Sequence, residues 1–135
     1  MSHLQCPNFE LFERDIWPGC REIEVEGELD LAVSDGLRAA LDRATAQRQH
    51  VLVDLGPCDF IDASGLAILV RANRMLRDRN RQLLVYGVRG QVRRLLAITE
   101  LAKDGLPISP APAPPPSKLF GKREAAAPAD FEAVA

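Results

Sequence analysis

The period of apolar and polar positions changes several times between residues 8 and 109, and each change predicts an element. In "REIEVEGELD" apolar residues alternate with glutamates, which predicts a strand with one solvated face; its inward side is Ile23, Val25, Gly27 and Leu29. "NFELFER" predicts an earlier strand paired with it. "VLVDL" (51–55) is nearly all apolar, which predicts a central buried strand. "RQLLVYGV" predicts a further strand, and a short last strand includes Ile108.

Three segments instead repeat apolar residues at helical spacing. Ser34 is the expected N-cap of the first helix, whose first turn carries Asp35. The second helix is predicted from about Ser64 to Asp78, and the third begins near Gly90. Their predicted buried faces are, in order, Leu37, Ala40, Leu41 and Ala44; Gly65, Ile68, Leu69, Ala72 and Leu76; and Val92, Leu95, Leu96 and Thr99.

The resulting order, β-β-α-β-α-β-α with a further β at the end, is typical of an α/β fold with a mostly parallel sheet. The early pair of strands adds an antiparallel edge, which makes the sheet mixed. From Pro110 the chain becomes rich in proline and alanine. We therefore expect one domain over residues 1–109, with its packed core beginning near residue 8, and a disordered tail over 110–135. A proline-rich docking site in "PAPAPPPS" is the alternative use of this tail.

Charge is unevenly distributed along this chain, which has 135 residues and a net charge of −2. Residues 1–70 hold thirteen acids and five bases, whereas residues 71–109 hold nine bases and three acids. This asymmetry indicates either a two-faced surface that steers a charged partner or helix faces that are simply solvated.

Cysteine spacing and hydropathy define the expected compartment. Cys6, Cys20 and Cys58 are odd in number and form no CxxC pair, so neither a disulfide framework nor a zinc site is expected. No apolar run approaches about 18 residues, and the N-terminus has no secretory pattern. We expect a cytoplasmic protein without a membrane anchor, metal or cofactor, in which His3 and His50 are surface residues.

The stretch "CDFIDASGLAILV" (58–70) places Ser64 between a strand-like and a helix-like run. Catalysis by Ser64 is not expected, because the G-x-S-x-G pattern fails on both sides. His50 is the only core histidine that could act as its base, and it precedes a strand that should point it away from Ser64. No phosphate-binding loop pattern occurs either. Asp62 or Ser64 can cap the second helix. Gly65 in its first turn indicates that either a partner or another element approaches closely.

"VDLGPCDFIDASGLAIL" resembles the motif of STAS domains, the anti-sigma-factor antagonists of bacteria. "VEGELDLAVSDGLRAAL" resembles an earlier segment of that family, and "VRRLLAITELAKDGLPI" its last helix and strand. The three segments have the family's order and cover roughly residues 10–109. The resemblance implies a mixed, mostly parallel sheet of four to five strands packed with three to four helices, and no catalysis.

The resemblance also implies a switch. Ser64 matches the serine that a partner serine kinase, itself the anti-sigma factor, phosphorylates and that a serine phosphatase restores. The unphosphorylated antagonist binds the kinase and releases the sigma factor. The partner-binding residues implied are Glu28, Asp30, Asp62, Ala63, Ser64, Gly65 and Leu66. A STAS scaffold subunit of a stress-sensing or lipid-transport complex, in which Ser64 stays unmodified, is the alternative.

Elementary electrostatics agree with such a switch. A helix N-terminus tolerates phosphate, but the nearby acids Asp30 and Asp62 would make the modified loop strongly anionic. Arg71 lies about 10 Å further along the helix at 1.5 Å per residue, too far to neutralise the phosphate. The arginine residues 71, 74, 77, 79 and 81 have no interleaved aromatic residues, so they indicate a solvated face rather than a nucleic-acid site. A contact with an acidic partner is the alternative.

Overall fold

The computed structural model describes residues 2–6, 8–100 and 105–109, which form one mixed sheet packed against helices. Its elements, in chain order, are β1 (Ser2–Cys6), β2 (Phe9–Trp17), β3 (Cys20–Leu29), α1 (Ser34–Ala46), β4 (His50–Asp54), β5 (Cys58–Ile61), α2 (Ala63–Asp78), β6 (Leu83–Tyr86) and α3 (Gly90–Glu100). The predicted tail at 110–135 and the side chains of Cys6 and Thr99 lie outside what the structure describes.

The sheet has the order β1-β2-β3-β4-β6, with β5 paired to β3 beside this path. The pairs β1–β2 and β2–β3 are antiparallel, whereas β3–β4, β4–β6 and β3–β5 are parallel. This confirms the α/β class, the mostly parallel sheet and its antiparallel edge. The sheet has six strands, whereas four or five were expected; the two additional strands, β1 and β5, were not predicted from the sequence. Ile108 adds a single parallel bridge to Val85, where a short last strand was expected.

The first half of β3 pairs with β4 and the last three residues pair with β5, so β3 changes neighbour along one edge. The change occurs at Gly27, where the register shifts. Gly27 has φ +89, and a Cβ there would lie 2.2 Å from the backbone oxygen of Asn8. Only glycine therefore fits at this position. The irregularity brings β5, and the start of α2 after it, beside the carboxyl end of β3.

The principal core lies between one face of the sheet and the three helices. Helix α1 contributes the predicted residues Leu37, Ala40, Leu41 and Ala44, and β4 contributes Val51 and Val53. The remaining predicted helix faces are also mostly confirmed: Gly65, Leu69, Ala72, Leu76, Val92 and Leu96 are buried, whereas Ile68 and Leu95 are partly buried. Strand β4 is central, as predicted, because β3 and β6 flank it.

Two local predictions are wrong. Ser34 is not the cap of α1: Val33 holds the N-cap position without a side-chain bond, and the Ser34 hydroxyl donates to the Leu31 carbonyl at 3.1 Å. The glutamate face of β3 is not uniformly solvated either, since Glu22 is 3% exposed. Its carboxylate is satisfied by Arg14, with 2.7 Å between Nη2 and Oε1, and by the hydroxyl of Tyr86 at 3.2 Å. Pairing of this kind makes burial of a charge tolerable.

Candidate functional site

Asp62 is the residue that organises the surface around Ser64. It occupies the N-cap of α2 in an extended conformation, where a short polar side chain can reach back to the first-turn amides. Its Oδ1 accepts hydrogen bonds from the backbone N–H groups of Ser64 at 3.0 Å and Gly65 at 3.1 Å. Of the two caps considered from sequence, Asp62 is therefore the one that caps α2.

The other carboxylate oxygen of Asp62 extends to the loop between β3 and α1. Asp62 Oδ2 accepts from the backbone N–H of Leu31 at 3.1 Å, and the Asp62 N–H donates to the Leu29 carbonyl at 3.2 Å. The same loop is folded by Asp30, whose Oδ1 accepts from the Ala32 N–H at 3.0 Å. One side chain thus joins the two segments that the sequence predicted to lie in the partner-binding surface.

Ser64 is half-buried, and its hydroxyl donates to Asp62 Oδ1. That hydrogen bond is the largest cause that lowers the pKa of the Asp62 carboxyl; backbone N–H groups lower it further. A carboxylate with a lowered pKa is a weak base, so it does not activate the hydroxyl as a nucleophile. The arrangement presents a hydroxyl oxygen beside a fixed negative charge.

His50 is placed away from Ser64. It begins β4 and pairs in register with Cys20 at the start of β3, whereas Ser64 follows β5, whose Ile61 pairs with Leu29 at the end of β3. Nine residues of strand at about 3.3 Å each put these ends roughly 30 Å apart. His50 Nδ1 also accepts a hydrogen bond from the Gln82 N–H at 3.1 Å. Neither its position nor its bonding suits it to act as a base for Ser64.

Gly65 is buried because of packing within the domain. A Cβ at this position would lie 2.8 Å from Cγ of Leu29 and 2.9 Å from Cγ1 of Ile61. The sequence left open whether a partner or another element approaches Gly65, and the structure identifies the ends of β3 and β5 as the close neighbours. Among the predicted partner-binding residues, Gly65 therefore acts by letting α2 start close to the sheet.

The other predicted residues lie together at the carboxyl ends of β3 and β5. Glu28 and Ala63 are exposed; Asp30, Asp62 and Leu66 are partly exposed, with Leu66 also packed against the core. Glu28 is in register with Phe60 of β5. Arg71 is occupied elsewhere, since its Nη1 lies 2.9 Å from Oδ1 of Asp42 on α1. It is not positioned to neutralise charge at Ser64, as the helical distance predicted.

Sequence reasoning missed two exposed apolar side chains at this site. Leu31 is 72% exposed and Phe60 is 40% exposed. The N–H of Leu31 donates a hydrogen bond to Asp62, and Phe60 lies two residues before that aspartate. Each is a single apolar residue at the end of a strand pattern, where periodicity does not distinguish an inward from an outward position. Exposed apolar residues beside a polar rim are typical of protein interaction sites.

Gln91 also contributes, by attaching α3 to β5. Its side-chain oxygen accepts from the Ile61 N–H at 3.1 Å, and its amide nitrogen donates to the Ile61 carbonyl at 2.9 Å. Next to it, Arg89 pairs with Asp59 at 3.3 Å. The end of β5, which leads into Asp62 and Ser64, is therefore bonded to the start of α3 as well as paired with β3.

The site around Ser64 lies on an open surface, away from the cavity at the far end of α2. A cavity of about 310 Å³ lies toward the other end of α2, lined by Asn73, Arg77, Asn80, Arg81, Gln82, Leu83 and Pro107. Within residues 2–6, 8–100 and 105–109, no three His, Cys, Asp or Glu side chains are grouped to hold a metal ion. No helix in the same ranges is long and apolar enough to cross a bilayer.

Comparison with known proteins agrees with this architecture. A family model of the STAS domain matches residues 12–113, and the chain belongs to that family. It is 31% identical over 83 residues to the anti-sigma F factor antagonist of Paenibacillus polymyxa, covering 60% of this chain and 71% of the relative. The family and its antagonist relatives are non-enzymatic regulators, which confirms the prediction that this chain is not an enzyme.

Solved structures share the fold. The crystal structure of an anti-sigma factor antagonist from Mycobacterium paratuberculosis has a TM-score of 0.68 and 24% identity, covering 80% of this chain and 92% of that one. The Bacillus cell fate determinant SpoIIAA in its phosphorylated form has a TM-score of 0.61 and 16% identity, covering 73% and 90% of the two chains.

Proposed function

We propose that this protein is a cytoplasmic anti-sigma factor antagonist controlled by phosphorylation of Ser64. It binds an anti-sigma factor that is also a serine kinase while the Ser64 hydroxyl is free, and the sigma factor is thereby released. Phosphorylation by that kinase ends the interaction, and a serine phosphatase restores it. The observation that carries this proposal is the position of Ser64, half-exposed at the start of α2 and joined through Asp62 to the β3–α1 loop.

The proposed interface combines polar and apolar parts. Its polar part is formed by Glu28, Asp30, Asp62 and Ser64, with Ala63 and Leu66 between them, and Gly65 supports it from beneath. Leu31 and Phe60 supply the apolar area that a stable contact needs. Three carboxylates in this patch favour a partner surface that carries basic side chains.

Phosphorylation would act on this interface through charge and through one hydrogen bond. The phosphate replaces the hydrogen that Ser64 donates to Asp62 and adds a charge of about −1.5 to −2 at neutral pH. Two unit charges about 4 Å apart repel by roughly 1 kcal/mol in water and roughly 4 kcal/mol at an effective dielectric constant of 20. Since 1.4 kcal/mol is tenfold in affinity, closing a partner over the modified site is strongly disfavoured.

The relatives support this regulation by analogy. SpoIIAA, which shares the fold, is known in a phosphorylated form, and the relative from Paenibacillus polymyxa is an anti-sigma factor antagonist. Ala63 carries no hydroxyl, so Ser64 is the only acceptor in the "DASG" segment. Ser64 is therefore the residue of this segment that we propose for phosphorylation.

Affinity capture from the native cell tests the proposal. We expect wild type and Ser64→Ala to retain a small ATP-binding kinase, and Ser64→Asp to retain less of it, because aspartate adds about one negative charge. Ser109→Ala, which removes a hydroxyl outside the "DASG" segment, is the matched control and should behave as wild type. Capture of a transporter ATPase or a large symmetric particle, equally by all forms, would contradict the antagonist role and support the scaffold alternative.

A further inference from the structure

A buried asparagine lies in the middle of α2, on the face that packs against the rest of the domain. Asn73 is 1% exposed and belongs to the same buried face as Leu69, Ala72 and Leu76. Asparagine is a weak helix former, and burial of an amide is unfavourable unless its polar atoms are hydrogen-bonded. Packing alone would favour an apolar residue at this position, so the amide of Asn73 needs another explanation.

One end of this amide has no partner among the described residues. Asn73 Nδ2 faces the Gly105 carbonyl at 3.5 Å, which directs Oδ1 away from that carbonyl. Within the described part of the chain, Asn73 Oδ1 and Gln82 Oε1 are buried and accept no hydrogen bond. Both side chains line the cavity of about 310 Å³ at the end of α2. The cavity therefore offers two acceptors to a molecule that carries hydrogen-bond donors.

The same cavity is positively charged. Arg77 and Arg81 line it, and none of its described lining residues is acidic. The guanidinium of Arg81 is held in place, because Nε donates to the Arg48 carbonyl at 2.7 Å and Nη1 donates to the Asn80 carbonyl at 3.0 Å. These acceptors are neutral, so hydrogen bonds orient Arg81 without cancelling its charge. A cavity of this kind attracts an anion.

The end of α2 opposes an anion only weakly. A helix C-terminus carries partial negative charge on carbonyl groups that lack a partner. Here the Leu76 carbonyl accepts from the N–H groups of Arg79 and Arg81 at 2.9 and 2.8 Å, and the Arg77 carbonyl accepts from the Asn80 N–H at 3.0 Å. Because these carbonyls are satisfied, the two guanidinium groups dominate the charge of the cavity.

We propose that this cavity binds a small oxyanion that also carries hydroxyl groups, as a polyol phosphate or a hydroxycarboxylate does. The oxyanion lies against Arg81, whose planar N–H donors match the oxygens of a phosphate or a carboxylate, and Arg77 adds positive charge. Hydroxyl groups of the same molecule donate to Asn73 Oδ1 and Gln82 Oε1. The cavity volume is at the lower end of the range for small-molecule sites, which fits a ligand of this size.

This site is separate from the surface proposed for the anti-sigma factor. Ser64 and Arg77 are 13 residues apart on α2, or about 20 Å at 1.5 Å per residue. No residue of the proposed interface lines the cavity. The inference therefore does not depend on phosphorylation of Ser64, and either proposal can fail without the other.

Calorimetric titration of the full chain with glycerol 3-phosphate and with glycerate tests the inference. We expect at least one of them to bind saturably at one site, with a Kd of about 1 mM or lower. Inorganic phosphate has the charge alone and glycerol has the hydroxyl groups alone, so each should bind at least about tenfold more weakly. Absence of binding by both oxyanions, or equal affinity for inorganic phosphate, would overturn the inference.

A pair of arginine variants tests the role of charge in the cavity. Arg81→Gln should weaken binding at least about tenfold. Arg79→Gln makes the same change of charge at an exposed residue outside the cavity, and should keep wild-type affinity. Equal losses in the two variants would show a diffuse attraction to the whole arginine cluster and would overturn the site.

The buried amide is tested separately. Asn73→Leu has a similar volume and is apolar, so it should keep the wild-type Tm or raise it and should lose at least about tenfold in affinity. In the wild type, the side-chain NH₂ resonances of Asn73 and Gln82 should shift during titration, whereas the backbone resonance of Ser64 should not. Wild-type affinity in a folded Asn73→Leu variant, or shifts confined to residues around Ser64, would overturn the inference.

Discussion

Removing the Asp62 carboxylate is expected to weaken both the start of α2 and its connection to the β3–α1 loop. In Asp62→Ala, the N–H groups of Ser64 and Gly65 lose their acceptor, and so does the N–H of Leu31. Loss of an N-cap costs about 1 kcal/mol, and loss of a hydrogen bond to a charged group at a partly solvated site about as much again. The expected loss of unfolding free energy is about 1.5–2.5 kcal/mol.

Two further substitutions separate these contributions. Asp62→Ser keeps an N-cap, but the serine side chain is too short to reach Leu31. The expected loss of unfolding free energy is therefore about half of that in Asp62→Ala. Asp62→Asn also caps, and it loses the favourable interaction of the charge with the helix dipole, worth about 0.3–1 kcal/mol. Chemical denaturation, analysed with one m-value for all variants, gives the unfolding free energies of the Ala, Ser and Asn variants at position 62. Equal stabilities for Ala and Ser at position 62 would contradict the two-sided role of this carboxylate.

The pH dependence gives an independent check on the same residue. Folding lowers the pKa of Asp62, so its contribution is present above the unfolded pKa of about 3.9 and is lost as pH falls through the lower folded value. The difference in unfolding free energy between wild type and Asp62→Asn should be constant above about pH 5 and should decrease below about pH 4. A difference that grows on acidification would contradict the assignment.

Three other predictions concern the core. Gly65→Ala introduces a Cβ 2.8 Å from Leu29, so overpacking of about 1–3 kcal/mol should exceed the gain of about 1 kcal/mol in helix propensity, and denaturation should show a modest net loss. Val53→Asp buries an unpaired carboxylate in a strand residue that is 0% exposed, and should abolish cooperative unfolding; a soluble, cooperative variant would contradict the central position of β4. Burial raises the pKa of the Cys20 thiol and raises that of the Cys58 thiol to about 11, so at pH 8 both should react with a thiol reagent only at the rate of unfolding; fast modification of either would contradict their burial.

Periodicity predicted the parts of the fold in which one pattern holds over many residues. Helix α2 was predicted from about Ser64 to Asp78 and is observed from Ala63 to Asp78, because its apolar stripe and its cap agree. Strand β5 was missed because "CDFI" has only four residues, of which Asp59 and Phe60 are exposed. A strand this short is defined by its pairing with β3, and this pairing cannot be predicted from the local sequence pattern.

At the site, too, contacts between residues close in sequence could be predicted, whereas contacts between distant residues could not. The cap by Asp62 follows from local chemistry, because an aspartate two residues before Ser64 can reach the first-turn amides. The bond from Asp62 to Leu31 spans 31 positions in sequence, so only the folded chain shows it. Ser34 was expected to cap α1, but its hydroxyl donates to Leu31 instead, because serine can donate to a nearby carbonyl as well as accept from an amide.

The affinity of the protein for its cognate kinase, measured with and without stoichiometric phosphate on Ser64, tests the central claim most directly. Both forms are compared in the presence of nucleotide, and mass spectrometry confirms the modified residue. The account predicts that phosphate is found on Ser64 and that it weakens binding by at least about tenfold, the equivalent of 1.4 kcal/mol. Equal affinity of the two forms, or phosphate on a different residue, would contradict it.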